Sequence, residues 1–314
     1  MADRRFLALF CALIAACALF LAWGLSTRIW FILELRAIKS AGLIIVGAAV
    51  GIATVLFQTL SGNRILTPAI MGFDALFLLV QTSLVFFIGG FGFVQLPGPV
   101  VFGLNTVVMM VAAVTLFGTL LHNNRRDIQL MILVGVIFGL LFRSLTSFMQ
   151  RLIDPSEFAI VQGTMFAQFG GINRVELLTS VCLLVPILIW IWRQCPVLDA
   201  MALGRGPARS LGVPYDRLQF RLLCAIAALV SISTALVGPI TFLGLLVSSL
   251  TYSLTHNYRH ALLLPTAAVM AALILVFGQA IFERLLNLQS SLSIVIEFAG
   301  GLLFLSLLAR GKLR

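Results

Sequence analysis

The sequence predicts an all-α integral membrane protein with about ten transmembrane helices per chain. Three observations predict it. Of 314 residues, 61% are hydrophobic and 10% charged, against roughly 45–50% and about 25% in soluble domains. The apolar residues come in runs of about twenty, the length at which a helix rising 1.5 Å per residue crosses a hydrocarbon core of about 30 Å. Short polar or glycine- and proline-rich segments separate the runs. One transmembrane domain is expected over 1–314. The net charge of +10 does not point to nucleic acid, because the arginines stand at the ends of apolar runs instead of clustering with polar and aromatic residues on a soluble surface. It fits orientation in a bilayer and contact with anionic lipid headgroups. Cys11, Cys17, Cys182, Cys195 and Cys224 lie in or beside apolar runs without CxxC spacing, so neither a disulfide framework nor a metal site is implied.

The elements follow in order. Met1 to Arg5 is short and basic and leads into an apolar run from Phe6 to Leu25, longer than the core of a secretory signal and carrying Trp23 as an interfacial anchor. This is the first helix. Ser26 to Ser40, with Arg28, Glu34, Arg36 and Lys39, is expected as an outer polar segment. The second helix, Ala41 to about Leu60, carries Gly42, Gly47, Ala48, Ala49, Gly51 and Ala53. Small residues let backbones approach closely, which is how helices pack where lipid removes any hydrophobic gain; this helix belongs inside the bundle. The third runs from about Pro68 to Ile88, followed by an uncharged outer turn from Gly89 to Pro99. The fourth spans Val100 to Leu121, and His122 to Asp127 is a basic inner turn. The fifth covers Ile128 to Met149. Phe158 to Asn173 is short and broken by Gly163, Gly170 and Gly171, which favours a re-entrant or interfacial segment. The sixth spans Val175 to Trp192. The seventh starts beside Arg217 and Arg221 and ends near Val237, where Gly238 and Pro239 break it; the eighth ends by Thr255. An inner turn from His256 to His260 leads to the ninth, Ala261 to Ile281. Glu283, Arg284, Asn287 and Gln289 are outer, and Leu292 to Ala309 is the tenth.

The stretch from Leu198 to Tyr215 departs from this pattern. With three glycines and two prolines it has no place as a lipid-exposed span, since its backbone groups would lack partners in hydrocarbon. Asp199 is expected to cap a short helix starting at Ala200, and Gly212 with Val213 and Pro214 to stop the second of a helix pair. An ordinary inter-helix loop is the other reading of this stretch.

Ala202, Leu203, Gly204, Ala208, Arg209, Leu211, Gly212, Val213 and Pro214 resemble the cytoplasmic coupling loop of FecCD-type permeases, the transmembrane subunits of iron-siderophore and vitamin B12 ABC importers. Two more motifs carry the same resemblance. Gly47, Ala48, Ala49, Gln58, Asn63, Pro68 and Gly72 match a glycine-rich helix running through Asn and Pro into the next; Gly238-Pro239-Ile240-Thr241-Phe242-Leu243-Gly244-Leu245 matches a turn later in the chain. Arg64 stands where the family usually has Pro, and Ser248 and Ser249 where it often has Pro-His. Gly72-Phe73-Asp74-Ala75-Leu76 looks more like the catecholate-siderophore members than the vitamin B12 ones. The resemblance spans Leu35 to Ala309. It implies a type II importer permease fold with a second permease subunit, identical or homologous, and two ATP-binding subunits that hold ATP and Mg and dock on Ala202, Leu203, Gly204, Ala208, Arg209, Leu211 and Gly212. It further implies a periplasmic or lipoprotein substrate-binding protein outside, a ferric siderophore as substrate and no cofactor in this chain.

Orientation is read from charge. With both termini cytoplasmic in a bacterial inner membrane, fourteen of the 21 Lys and Arg fall on inner segments and seven on outer ones or adjoining helix ends, the bias expected of cytoplasmic loops. Arg36, Lys39 and Arg284 match, by resemblance, positions that pair with carboxylates of the binding protein, Lys39 departing from the more usual Arg; snorkelling interfacial cations are the alternative. Asp74, Arg143 and Glu297 lie in apolar runs, where they either mark a path or are solvated and paired near helix ends. His122, His256 and His260 form no metal motif, and no phosphate-binding Gly-x-x-x-x-Gly-Lys-Ser/Thr loop occurs. Catalysis in this chain is not indicated. The competing readings are an ATP-independent carrier or channel, marked by inverted repeats and broken helices, and a membrane scaffold.

Overall fold

The computed structural model describes residues 2–24, 29–122, 128–255, 257–284 and 292–309. The expected turn with Arg125 and Arg126, His256, Asn287, Gln289 and the basic end Arg310, Lys312 and Arg314 lie outside the described residues. The elements are α1 (Ala2–Ala22), α2 (Ile29–Ser61), a 3-10 turn (Pro68–Met71), α3 (Phe73–Ile88), α4 (Gly90–Gln95), α5 (Gly98–His122), α6 (Ile128–Leu152), α7 (Pro155–Thr164), α8 (Arg174–Arg193), α9 (Cys195–Met201), α10 (Arg205–Ser210), α11 (Tyr215–Val237), α12 (Leu243–Thr255), α13 (His260–Arg284) and α14 (Leu292–Ala309). Among the described residues seven helices are long and apolar enough to cross a membrane, and three shorter apolar helices, α3, α12 and α14, join them. The ten expected spans are all present as helices.

The core is built on α2, α11 and α13. α11 buries Leu222, Leu223, Ile226, Leu229 and Ile232, and α2 buries Leu43, Val46, Val55, Leu56 and Phe57. Gly47 and Gly51 of α2 are where its backbone meets α13. A Cβ added to Gly47 would stand 2.9 Å from the Ala271 carbonyl carbon, and one on Gly51 would stand 2.8 Å from the Ala267 oxygen. Gly47 and Gly51 are spaced by four, as are Ala267 and Ala271, so one small-residue stripe lies against another.

Two boundaries correct the sequence reading. Ser26 to Ser40 is not an outer polar loop along its length: α2 begins at Ile29 and runs 33 residues, about 50 Å at 1.5 Å per residue, several turns beyond the hydrocarbon. Two of its charges, Arg36 and Lys39, are satisfied by helix ends. The Arg36 guanidinium donates to the carbonyls of Leu21 (2.8 Å), Trp23 (2.9 Å) and Gly24 (3.1 Å), closing the last turn of α1. Lys39 pairs with Glu283 near the end of α13. The third expected helix is likewise not continuous from Pro68, because Gly72 takes a φ of 87° between the 3-10 turn and α3. A Cβ there would meet the Gly139 Cα at 2.7 Å, so the kink is where α6 crosses.

The remaining breaks behave as their composition requires. The uncharged turn after α3 holds α4, whose first N–H, on Gly90, donates to Glu157 at 2.7 Å. Phe158 to Asn173 contains the end of α7, a helix starting at Pro155, and then a non-helical stretch whose Gln168 N–H donates to the Val237 carbonyl at 2.7 Å. Gly238, with φ of 97°, ends α11 against the Ala167 backbone. Thr241 in this break donates to the buried Asp74 carboxylate at 2.8 Å. Non-helical backbone is thus tolerated between α11 and α12 because protein covers it.

Candidate functional site: the α9–α10 knuckle

Between α8 and α11 the chain makes two short helices. α9 starts earlier than expected, at Cys195 with Pro196 in its first turn, a position where the missing N–H of proline is no loss. Asp199 is therefore inside α9 and does not cap it. Leu198 and Met201 are fully buried and root α9 in the bundle. Burial, aided by the Asp199 carboxylate, pushes the Cys195 thiol up from its usual range, so it packs as a small apolar group and is no thiolate.

α10 is bounded at both ends by a positive-φ glycine. Gly204 precedes it with φ 94° and ψ 170°, a region that costs other residues about 1–3 kcal/mol. At the far end the Val213 N–H donates to the Ala208 carbonyl (3.1 Å) and the Gly212 N–H to the Arg209 carbonyl (2.9 Å), with Gly212 at φ 82°. That pair of bonds is a Schellman cap. Nothing lies within 4 Å of a Cβ at either glycine, so both are required for backbone conformation and not for packing. Gly204→Ala is expected to lower transport severalfold while leaving expression unchanged, checked by uptake per membrane-inserted chain.

A carboxylate ties the knuckle to the helix that follows. Asp216, in the first turn of α11, is bridged by Arg205 at 3.1 Å and by Arg209, and a carboxylate also suits the positive end of a helix. These pairs are half-exposed, so each is worth at most about 1 kcal/mol; their effect is to orient α10. Of the seven residues expected to receive a partner, Ala202, Leu203, Arg209, Leu211 and Gly212 are exposed and Gly204 is half-buried. Ala208 is fully buried and seats α10 on the protein interior. Leu203 (62% exposed) and Leu211 (64%) are two large apolar side chains pointing away from the core on a polar turn.

Sequence reasoning missed Asp216 and a hydrogen-bonded set beside the knuckle, built around the buried His260. The His260 N–H and ring Nδ1 both meet Asp199 Oδ1, at 2.8 and 2.6 Å, and His260 Nε2 lies 2.8 Å from Thr59 Oγ1. Asp216 carries a local signal, an acidic residue opening a helix seven positions after an arginine. The partners of Asp199 are 61 residues away and carry none. At the opposite end of the bundle, Arg36 is 8% exposed and directed at the carbonyls ending α1, Lys39 is on Glu283, and Arg284 ends α13 with its side chain outside the described residues. Asp74 is buried on Thr241, and Glu297 is half-buried on α14. A cavity of about 360 Å³ between α3, α5 and α6 is lined mostly by apolar side chains, among them Met71, Phe73, Met109, Phe117 and Phe138, with Thr115 and Thr119 as its polar groups.

The FecCD transport family model matches residues 10–310. The chain belongs to the FecCD transport family. It is 38% identical, over 99% of its length and 98% of that protein's, to the petrobactin import system permease protein YclO of Bacillus subtilis (strain 168). It is 33% identical to the petrobactin import system permease protein FatC of Bacillus anthracis, over 90% of this chain and 79% of that protein. Its fold matches a solved inward-facing metal-chelate type ABC transporter with a TM-score of 0.84 at 21% identity, covering 98% of this chain and 99% of that one. As a FecCD permease the chain is the multi-pass membrane subunit of an ABC import system, and the ATPase of that system is a separate subunit.

Proposed function

We propose that the chain carries a ferric siderophore, of the catecholate class, across the bacterial inner membrane by alternating access driven by a partner ATPase. The observation that carries this reading is the α9–α10 knuckle. It ends in a Schellman cap, is rooted by Leu198, Met201 and Ala208, and offers Leu203 and Leu211 outward, as a rigid element that receives a push must. The catecholate class is supported by the petrobactin import relatives and by Gly72-Phe73-Asp74 opening α3. In this reading both termini and the knuckle are cytoplasmic, two permease chains enclose the path, and two ATP-binding subunits carry ATP and Mg. Iron travels within its chelate and this chain holds no cofactor.

The periplasmic or lipoprotein binding protein is placed at the outer ends of α2 and α13, which carry Arg36, Lys39 and Arg284. Its carboxylates would compete with Glu283 for Lys39, so docking and the internal pair exchange partners. Lys39→Glu sets two carboxylates against each other there and is expected to slow association of the binding protein about tenfold at low salt, less at high salt, read by surface-captured complex. The function itself is tested by reconstituting the purified complex with its ATPase in liposomes and following radiolabelled ferric petrobactin. Uptake that requires ATP supports the reading; equal uptake without the ATPase would establish the ATP-independent carrier instead.

A further inference from the structure

We infer that the Asp199–His260–Thr59 set, centred on the buried His260 ring, is a rigid joint through which the knuckle drives α2 and α13, and that His260 is its positioning residue. The inference rests on the proposed ATP-driven reading. Covalently, α9 and α10 are continuous with α8 and α11 alone. A push on the knuckle therefore reaches those two helices by the chain itself, and reaches α2 and α13 only through contacts.

The contacts on the page are specific. Asp199 sits mid-way along α9 and one of its carboxylate oxygens accepts from the backbone N–H of His260, the first residue of α13, at 2.8 Å. The carboxylate thus caps a helix 61 residues away and faces its positive end. The same oxygen lies 2.6 Å from His260 Nδ1. With one ring nitrogen so engaged, the other, Nε2, is 2.8 Å from Thr59 Oγ1 in the last turns of α2. His260 is 2% exposed; a ring enclosed to that degree and held at both nitrogens has no alternative rotamer that keeps its bonds. Thr59 is itself held, its hydroxyl lying 2.9 Å from the Val55 carbonyl.

Beyond the joint the two recipients move together. Gly47 and Gly51 set the backbone of α2 directly against Ala267 and Ala271 of α13, so a displacement entering at His260 is shared by both helices along their length. A hydrogen-bonded ring suits this task better than an apolar contact. Apolar surfaces slide over one another at little cost, whereas breaking either bond of a buried imidazole leaves an unpaired polar atom.

The test uses the intact complex with its ATPase in liposomes, measuring radiolabelled ferric petrobactin taken up per ATP hydrolysed. Thr59→Val keeps the shape and removes the hydroxyl; uptake per ATP is expected to fall about tenfold. Thr59→Ser keeps the hydroxyl and should hold the wild-type ratio, and Asp199→Asn, which preserves the acceptor oxygen, should do so where Asp199→Ala does not. A wild-type ratio in Thr59→Val, or a fall in hydrolysis and uptake together at constant ratio, overturns the inference and leaves the set as ordinary packing. A second measurement does not depend on these variants. Spin labels at Ala200 and Asn63 should keep one separation in nucleotide-free and ATP-trapped complexes; a change of a full helical turn, about 5.4 Å, overturns the joint even where Thr59→Val fails to assemble. Failure of the importer reading is distinct, since there the wild-type complex itself shows no ATP-dependent uptake.

Discussion

A chain carrying both Leu203→Asp and Leu211→Asp is expected to insert and fold normally, yet to lose its ATPase partner and its ATP-driven uptake. Both side chains are more than three-fifths exposed on a turn that is otherwise polar or small, so their removal disturbs little within the chain. In an interface, a large apolar side chain that fills a pocket contributes about 2 kcal/mol or more, and two of them about 4 kcal/mol. That difference is close to a thousandfold in affinity. Aspartate adds the cost of setting a charge against the pocket wall with no partner. Co-purification of the ATPase with tagged permease measures the effect, alongside folding of the permease alone in detergent. Stoichiometric recovery of the ATPase would refute the docking assignment. The conservative pair Leu203→Met and Leu211→Met keeps apolar volume and should retain both partner and uptake.

The same knuckle indicates how far residues by themselves reveal function. Its position, its stop at Gly212-Val213-Pro214 and its outward leucines follow from local rules: glycine where φ is positive, proline where no N–H is needed, a polar turn between spans. The break at Gly238-Pro239 follows for the same reason. What local rules miss is any bond whose partner is distant in sequence. Arg36 and Lys39 look like loop residues because charge within an apolar protein suggests water, yet the carbonyls ending α1 and the Glu283 carboxylate let helix continue through them. Asp199 looks like the cap of the next few residues because capping is usually local; its oxygen serves α13 instead. Gly72 reads as an ordinary helix entry until α6 is placed across it with Gly139 at its back. In each case the identity of the residue was informative and its partner was not.

Gly51→Leu is expected to prevent stable folding, and Gly47→Val to do nearly as much. Neither glycine has a positive φ, so the argument is one of space. At Gly51 even a Cβ would approach the Ala267 carbonyl oxygen to 2.8 Å and the Ala271 Cβ to 3.3 Å; at Gly47 it would approach the Ala271 carbonyl carbon and the Ala272 nitrogen, both at 2.9 Å. These neighbours are mostly backbone of a helix and do not rotate away. Relief requires α2 and α13 to separate along a buried seam, and in lipid that separation forfeits dispersion contacts with no compensating solvation. Overpacking a core costs about 1–3 kcal/mol where side chains adjust, and here the exceptional end of that range applies because the obstacle is main chain. Trimming Ala271→Gly should therefore rescue Gly51→Leu poorly, since the Ala267 oxygen remains. Gly103 provides the contrast, with nothing within 4 Å of its added Cβ, and Gly103→Ala should be neutral or slightly stabilising by the helix propensity of alanine. Detergent thermal stability of the four variants, compared with the wild type, decides between a close-packed seam and a loosely filled one.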